Sequence, residues 1–290
     1  MTNYNTADVI ERCFDSILNA LDAIDYEIIV VDNMSGDGSF EWLAMLSRRN
    51  PRVRLIRKRC LRGMGWQTAF RASSAPTIAI AACDTVYNDA WRRLIARFLE
   101  ERFSFGIIAV LGEVYPRGAL DRVGGWRNLQ YWEDVDLRAR LASIGSLRIY
   151  PVVCGQNLKR TPASNRAEQI YRLYRKIHDK ILVATWIPAR FYLVGYVRAI
   201  LRQGGTRTFV RLPYYLSILT LAILVARAQR RGFQARGVDA RILNAKNYAI
   251  DLGLVPRQEL TAATSQYDSF EGCRDALARG DFGFLPGFYD

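Results

Sequence analysis

The chain has 290 residues, of which 50% are hydrophobic and 24% are charged. This composition is that of a globular protein, and it excludes a collagen-like repeat, a wholly disordered chain and a small disulfide scaffold. Lys and Arg together number 41 and Asp and Glu 28, so the net charge is +13. Such an excess predicts an anionic partner, for example nucleic acid, an acidic membrane or a phosphorylated substrate.

The positive charge is concentrated in the middle of the chain. Residues 1–165 contain 22 basic and 18 acidic side chains, residues 166–236 contain 14 and 2, and residues 237–290 contain 5 and 8. The sequence therefore predicts a nearly neutral first domain over 1–165, a basic segment over 166–236 and a mildly acidic tail over 237–290.

Cysteine and histidine usage narrows the compartment and the chemistry. The five cysteines are scattered and form no Cys-x-x-Cys pair, which favours a reducing compartment such as the cytoplasm. His178 is the only histidine, so the sequence does not favour a His-rich zinc site or a Ser-His-Asp triad. The first residues have neither a basic start nor an apolar core, and we therefore expect no secretory signal.

Helix and strand patterns alternate in the first domain. Apolar residues recur every three or four positions in residues 6–21, which predicts a helix. Further helices are predicted over 39–49, 65–73 and 90–102, and strands over 26–31, 53–56, 77–82 and 105–111. The predicted fold class is α/β, with an open, mostly parallel sheet and helices on both faces. No strand precedes the first helix, so we expect the chain to begin inside or just after its first strand.

Two aspartates, Asp32 and Asp84, directly follow predicted strands. In open α/β sheets, ligands bind beyond the carboxyl ends of the strands. Each aspartate taken alone is accounted for equally well as a turn or helix cap. Because both stand at strand ends of one predicted sheet, the pair favours a ligand site.

Three acidic residues, Glu133, Asp134 and Asp136, stand at the start of another predicted helix. The helix dipole favours negative side chains there by roughly 0.3–1 kcal/mol each, so capping is the simplest explanation. Capping does not explain why Gly124-Gly125-Trp126 and Trp132 stand immediately before them.

Taken in order, these segments resemble the family 2 glycosyltransferases, which have the GT-A fold. Residues 2–5 are similar to the end of the family's first strand, and residues 27–38 to its second-strand signature. Residues 63–65 (Gly-Met-Gly) resemble a nucleotide-contacting loop, and Ala82-Cys83-Asp84 stands where the family has Asp-x-Asp. Residues 124–126 and 131–137 match its acceptor-side signature. The resemblance covers residues 1–180 approximately and implies a GT-A domain followed by a basic helical C-terminal region.

The resemblance implies an inverting transfer of a sugar from a nucleotide-diphospho-sugar to a hydroxyl group. Asp134 would be the general base that removes the proton of the acceptor, and Asp84 would bind Mn²⁺ or Mg²⁺. The residues that the resemblance assigns to the donor are Thr2, Tyr4, Asn5, Asp32, Asp37, Gly65, Cys83 and Asp84. Those that it assigns to the acceptor side are Gly125, Trp126, Trp132 and Glu133.

Two features depart from the family pattern. Ala82 replaces the first aspartate of Asp-x-Asp, and no histidine stands between residues 150 and 165, where the family often has a further metal ligand. Basic side chains such as Arg62, Lys159 or Arg160 could supply part of the positive charge in place of the metal.

Two basic segments indicate contact with anions. Residues 48–62 contain eight basic and no acidic side chains, which indicates either a solvated surface or attraction of a nucleotide diphosphate or of phospholipid headgroups. In residues 166–236, basic clusters alternate with apolar and aromatic stretches. The uncharged run 212–226 would span about 22 Å as a helix, short of the roughly 30 Å of a bilayer core. We therefore expect amphipathic helices on an anionic membrane surface, with packing against the first domain as the alternative.

These patterns predict a glycosyltransferase of polysaccharide or glycolipid biosynthesis, located in the cytoplasm and peripheral on the inner face of the membrane. Its acceptor would be a lipid-linked or growing glycan. One alternative is a membrane-associated scaffold of the same fold without catalytic activity, which the Ala82 departure favours. The other is a basic nucleic-acid-binding protein, although no nucleic-acid-binding motif is present.

Overall fold

The computed structural model describes residues 1–158 and, beyond them, residues 171, 174–175, 177–181, 213, 216–218, 220–225 and 228. Helices α1 to α6 are Ile10–Ala20, Ser39–Arg49, Arg62–Ala72, Asp89–Glu101, Arg117–Val123 and Glu133–Ser143. Strands β1 to β9 are Thr2–Asn3, Ile28–Asp32, Val53–Arg57, Thr77–Ile80, Thr85–Tyr87, Gly106–Val110, Gly112–Pro116, Leu147–Val153 and Gly155–Asn157. The described residues after 158 are helical. The rest of the basic segment 166–236 and the whole tail 237–290 lie outside the described residues.

In the described part of the chain, the strands form three sheets. Strands β1, β2 and β3 lie side by side in that order and are parallel throughout. The second sheet has the order β4-β7-β6-β8, and the third pairs β5 with β9. Parallel β1 and β2 end together, because Asn3 lies opposite Asp32, and this places the loops that follow both strands at one edge of the sheet.

The prediction of a mostly parallel sheet holds for β1–β3 and for the β6–β8 pair, but not for β7 or for the β5–β9 pair, which is antiparallel. Strand β7 runs antiparallel to both β4 and β6. Only Leu111 separates β6 from β7, and it has a φ of 60°. A parallel connection needs a crossover of roughly a dozen residues, so this chain reversal can only produce a hairpin. The sequence analysis missed the turn because leucine rarely adopts a positive φ.

The sheets bury side chains on both faces. Along β6, Ile107 and Ala109 join a cluster with α1 and α4, whereas Ile108 joins one with α3, α5 and α6. Strand β2 alternates in the same way, with Val30 facing α1 and Val31 facing α3. Because successive residues of a strand point to opposite faces, a continuous apolar run is what a sheet covered by helices on both sides requires.

Helix α1 begins four residues later than predicted. Thr6 stays outside the helix because its hydroxyl donates to Oδ1 of Asn3, at 2.5 Å. Its carbonyl oxygen still accepts the N–H groups of Val9 and Ile10, so Thr6 leads the chain from β1 into α1. Among the described residues, no helix is long and apolar enough to cross a bilayer.

Phe14 tests the packing of α1 on the sheet. Its ring is fully buried and lies 5.3 Å from that of Trp42, centre to centre. We expect Phe14→Ala to lower the free energy of unfolding by about 3–5 kcal/mol, because the change leaves a cavity in the core. Urea denaturation measures the loss. Leu99→Ala is the control, since Leu99 is exposed on α4 and should change stability by no more than about 0.5 kcal/mol.

Candidate active site

A buried polar network joins the ends of β1 and β2. Asp32 is fully buried, and one of its oxygens accepts from Nδ2 of Asn3 at 2.8 Å and from the hydroxyl of Ser35 at 2.5 Å. Its other oxygen accepts the N–H of Ser35 at 3.0 Å. This carboxylate, predicted to contact the donor, is therefore surrounded by hydrogen-bond donors of the chain itself. In this structure Asp32 shapes the loop after β2.

The same loop is held from the other side by Asn5 and Asp37. The N–H of Asn5 donates to the Ser35 hydroxyl, and Oδ1 of Asn5 accepts the N–H of Gly36. Asp37 accepts the N–H of Ala7 at 2.8 Å and the hydroxyl of Ser39 at 2.6 Å. Although partial burial opposes it, these hydrogen bonds hold the pKa of Asp37 below its usual value. Beside them, Tyr4 is 60% exposed, so its ring is open to solvent and to a ligand.

The first turn of α3 packs against β1. A Cβ on Gly65 would lie 2.7 Å from Cγ2 of Thr2, a distance that only a glycine allows. Just before this turn, the N–H of Cys60 donates to Oδ1 of Asn33 at 3.0 Å. The loop after β2 and the start of α3 thus form one continuous wall, which contains several of the residues predicted to bind the donor.

Cys83 and Asp84 follow β4 and differ in accessibility. Cys83 is buried, and burial raises the pKa of its thiol to about 12, so the side chain stays neutral and unreactive. Asp84 is partly exposed, and its carboxylate accepts a long hydrogen bond from the Thr85 hydroxyl at 3.4 Å. Its backbone oxygen accepts the N–H of Leu158. Of these two predicted donor residues, Asp84 is the one whose side chain could reach a ligand.

The Gly124-Gly125-Trp126 signature lies between α5 and α3. Both glycines have positive φ values, 76° and 67°, and a Cβ on Gly125 would lie 2.1 Å from Oε1 of Gln67. That same oxygen accepts the N–H of Trp126 at 2.7 Å. The indole is buried against Trp66, Phe70 and Tyr115. Packing alone accounts for this signature. Since the indole of Trp126 is buried, an acceptor would contact the surface around Gly125 and Trp126.

Glu133 and Asp134 open α6 in different environments. Glu133 is 3% exposed and forms an ion pair with Arg62, but its Oε2 has no hydrogen-bond partner among the described residues. Burial raises the pKa of Glu133 to about 7, with Arg62 opposing the rise and Asp134 adding to it. The side chain of Asp134 is 28% exposed and lies 2.9 Å from Arg138, which also pairs with Glu113. Asp134 is therefore the accessible carboxylate of the two.

The third acidic residue of the helix, Asp136, has a structural role. It is fully buried and pairs with Arg140 at 2.6 Å and Arg127 at 3.2 Å. Burial raises the pKa of Asp136, and the two guanidinium groups oppose the rise. This carboxylate ties α6 to the loop that precedes it.

A helical segment that the sequence analysis did not connect with the site supports the loop before α6. Asp179 is fully buried and accepts the N–H groups of Gln130 and Tyr131 at 2.8 and 2.9 Å. Its neighbour His178 contacts the same carboxylate through Nδ1 at 3.0 Å. Nζ of Lys180 lies 5.4 Å from the centre of the Trp132 ring. Sequence proximity could not reveal this support, because about 50 residues separate the partners.

The basic cluster of residues 48–62 lies along α2, β3 and the start of α3. Its eight basic side chains belong to exposed residues. Two of them also cover aromatic rings, since Arg52 lies 5.0 Å from the centre of the Tyr26 ring and Arg57 4.1 Å from that of Phe40. Both interpretations of the cluster, a solvated surface and an anion-attracting one, are compatible with this exposure.

The structure brings the predicted site residues other than Cys83 and Asp84, which follow β4, into two connected groups. The donor group surrounds the ends of β1 and β2 and the first turn of α3, and the acceptor group surrounds the start of α6. Arg62 and Gly63 connect the two, because α3 contacts both Thr2 and Glu133. Arg138 and Asp179 are the neighbours that sequence patterns did not single out.

Comparison with known proteins identifies the family of the first domain. The profile described as Glycosyl transferase family 2 matches residues 1–143. This part of the chain belongs to that family, and the protein is a glycosyltransferase. No curated protein matches the chain at a significant level.

Solved structures share the fold. S. aureus TarS 1–349 superposes with a TM-score of 0.54 at 11% identity, and its complex with UDP-GlcNAc with 0.53 at 13%. Both alignments cover 87% of this chain and 90% of TarS 1–349. The mannosyltransferase PcManGT from Pyrobaculum calidifontis, in complex with GDP-Man and Mn²⁺, aligns over 99% of this chain and 84% of its own at 17% identity, with a TM-score of 0.49. At these identities the TarS matches show the GT-A fold and nothing about substrates.

Asp32 tests the network at the strand ends. In Asp32→Asn an amide NH₂ group replaces one carboxylate oxygen. An NH₂ group cannot accept hydrogen bonds, so the donors that face it lose their acceptor. We expect the free energy of unfolding to fall by about 1–3 kcal/mol, the range for a buried hydrogen-bonding group that loses its partners. Urea denaturation measures the change. Asp121→Asn on the exposed surface of α5 is the control, and an equal effect of both variants would contradict the structural role.

Glu133 tests the effect of burial on a carboxyl group. Its pKa is about 7 in the folded chain, above the unfolded value, so the folded state binds more protons between pH 4.5 and 7. Stability should therefore fall as pH rises through this window, by up to about 3 kcal/mol, and level off above it. Glu133→Gln lacks the titrating group and should lose this part of the pH dependence. Urea denaturation of both proteins from pH 5 to pH 8 measures the difference, and parallel curves would contradict it.

Proposed function

We propose that the protein transfers a sugar, with inversion at the anomeric carbon, from a nucleotide-diphospho-sugar to a hydroxyl group of a lipid-linked or polysaccharide acceptor. The observation that carries the proposal is the position of Asp134. It is a partly exposed carboxylate in the first turn of α6, next to the turn of α3 that packs on β1. We infer from this position that a base on the acceptor side and a donor wall at the strand ends face a shared region.

The donor is proposed to bind along the loops that follow β1, β2 and β4. Tyr4 offers an exposed ring, and Asp84 a partly exposed carboxylate. The remaining residues proposed for this wall are Thr2, Asn5, Asp32, Asp37, Gly65 and Cys83, which act through loop shape and backbone groups. Asp32 and Cys83 are buried, so their side chains cannot reach a ligand without a rearrangement. The side chains of Asn5 and Asp37 are more accessible, but both hold the loop after β2 through hydrogen bonds.

The chemistry of Asp84 fits a divalent cation that is shared with the donor. No group of three or more His, Cys, Asp or Glu side chains in the described residues could hold a metal by itself. Mg²⁺ is commonly held by one or two carboxylates together with the phosphates of a substrate, and a single partly exposed aspartate meets that need. Such a cation would stabilise the charge that develops on the diphosphate.

Asp134 is proposed to act as the general base. The acceptor oxygen forms a bond to the anomeric carbon while the bond to the diphosphate breaks, and the nucleoside diphosphate leaves with the bonding electrons. The hydroxyl proton passes to the carboxylate of Asp134. Arg138, 2.9 Å away and fixed by Glu113, orients this carboxylate for that proton.

The acceptor side is proposed to include the surface around Gly125, Trp126, Trp132 and Glu133. A lipid-linked acceptor agrees with the basic composition of residues 166–236, which would lie on the anionic inner face of the membrane in the cytoplasm. Within this segment, Lys180 lies against the ring of Trp132, so the segment is adjacent to the loop before α6. If the segment lies on the membrane, the active site is close to a membrane-bound substrate.

Asp134→Asn tests the proposed base. We expect the rate of sugar transfer to fall by roughly 10²–10⁴-fold, because a carboxamide cannot accept the proton. Asp121→Asn should leave the rate unchanged. Turnover is measured with the donor that gives the largest rise in melting temperature in a screen of nucleotide sugars with and without Mn²⁺.

The outcome separates the alternatives. A scaffold without catalytic activity would bind a donor but show no turnover in the wild-type protein. A nucleic-acid-binding protein would bind duplex DNA with a steep dependence on salt and would gain no stability from a nucleotide sugar. An anomeric configuration in the product that matches the donor would contradict inversion.

A further inference from the structure

Arg62 makes a contact that the proposed reaction does not require. It is the first residue of α3, on the donor side, and its guanidinium forms an ion pair with the buried carboxylate of Glu133 on α6. Its side chain remains 45% exposed. Its backbone N–H also donates to Oε1 of Gln130 at 3.2 Å. One residue of the donor wall thus contacts both the loop before α6 and the first turn of that helix.

The backbone next to Arg62 fixes the distance between the two sides. The N–H of Gly63 donates to the carbonyl oxygen of Leu129 at 2.8 Å. A Cβ on Gly63 would lie 2.0 Å from the carbonyl oxygen of Arg127 and 3.0 Å from Cβ of Glu133. Because the backbones touch here, the Arg62 side chain has only a short distance to span, and its contact with Glu133 is geometrically restricted.

The ion pair is also the part of this junction that carries charge. Glu133 is almost completely buried, and its other oxygen lacks a hydrogen-bond partner in the described part of the chain. Arg62 is thus the cation that compensates the buried carboxylate. Removal of one partner from a buried pair leaves an uncompensated charge, which is costly. Without Arg62, the Glu133 carboxyl must take up a proton or turn towards solvent, and either change disturbs the first turn of α6.

We propose that Arg62 is a positioning residue that acts through Glu133: it fixes the first turn of α6 and thereby the carboxylate of Asp134 relative to the donor wall. This inference rests on the proposed role of Asp134 as the base. Small displacements of a catalytic group lower the rate strongly, by about 100-fold for 1 Å. Donor binding itself does not depend on the orientation of α6. The expected signature is a lower kcat with an unchanged affinity for the donor.

Three variants test the proposal. Arg62→Gln keeps a hydrogen-bonding side chain without the charge, and we expect kcat to fall by about 10- to 100-fold. The dissociation constant of the donor, measured calorimetrically without acceptor, should stay within about twofold. Arg62→Lys should recover part of the rate, since it restores the cation but not the planar guanidinium. Arg71→Gln, an exposed position at the other end of α3, is the matched control and should behave as wild type.

Two kinetic results would overturn the proposal. One is an Arg62→Gln rate equal to that of Arg71→Gln. The other is a donor dissociation constant that rises as much as kcat falls, because Arg62 would then be a donor ligand. A double mutant provides a further criterion. In a Glu133→Gln background, Arg62→Gln should lower kcat only slightly further. Fully additive losses of kcat would contradict an effect through Glu133.

Amide hydrogen exchange separates this proposal from the proposed reaction. In Arg62→Gln the amides of residues 133–137 should exchange faster than in wild type, and in Arg71→Gln they should not change. This measurement needs no turnover, so it remains decisive if the wild-type protein binds a donor and transfers no sugar. Unchanged exchange in Arg62→Gln would overturn the positioning role. If Arg62→Gln does not fold, the same comparison is made with Arg62→Lys. Its amides should exchange faster than those of wild type and more slowly than those of Glu133→Gln, which lacks the ion pair.

Discussion

The close approach of two backbone segments at Gly63 is the constraint on which the arrangement of this site depends. The first turn of α3 touches the loop before α6 so closely that a methyl group on Gly63 would overlap the carbonyl oxygen of Arg127. On its other side the same turn contacts Thr2 through Gly65. Two glycines two positions apart therefore allow one helix to connect the loops at the strand ends with the helix that carries Asp134. The proposed donor and acceptor sides of the glycosyltransferase meet through this helix.

Three buried carboxylates in the domain are stabilised in different ways, and the difference indicates what each one does. Asp32 accepts three hydrogen bonds from Asn3 and Ser35, and Asp136 pairs with two arginines. Each oxygen of these two carboxylates has a partner. Asp32 stabilises the loop after β2, and Asp136 stabilises the start of α6. Glu133 has one cationic partner and one oxygen without a hydrogen bond among the described residues. Of the three, the ionisation of Glu133 is therefore the most sensitive to a change nearby. For this reason the contact with Arg62 matters to the neighbouring Asp134, the proposed base.

Sequence patterns predicted elements well where a local signal determines them. Helix α2 has the predicted bounds, Ser39–Arg49, and the parallel pairing of β1, β2 and β3 agrees with the predicted alternation of strands and helices. The hairpin of β6 and β7 was missed, because its turn depends on a positive φ at Leu111. Strands β5 and β9 were missed as well. They are short and pair with each other across about 70 residues, so they carry no signal of their own.

The sequence by itself determined the family resemblance, the alternation of helices and strands in the first hundred residues and the residue types from which the proposed site is built. These properties depend on local periodicity and on short motifs, which are readable one segment at a time. Only the tertiary structure decided the environment of each side chain: Asp32 and Trp126 are buried, Asp134 is accessible, and Arg62 reaches Glu133. Burial and ion pairing arise between distant segments: Arg62 and Glu133 are about 70 residues apart, and one core cluster contains both Ile10 and Cys154. They follow from how the helices pack on the sheet, and no motif encodes them.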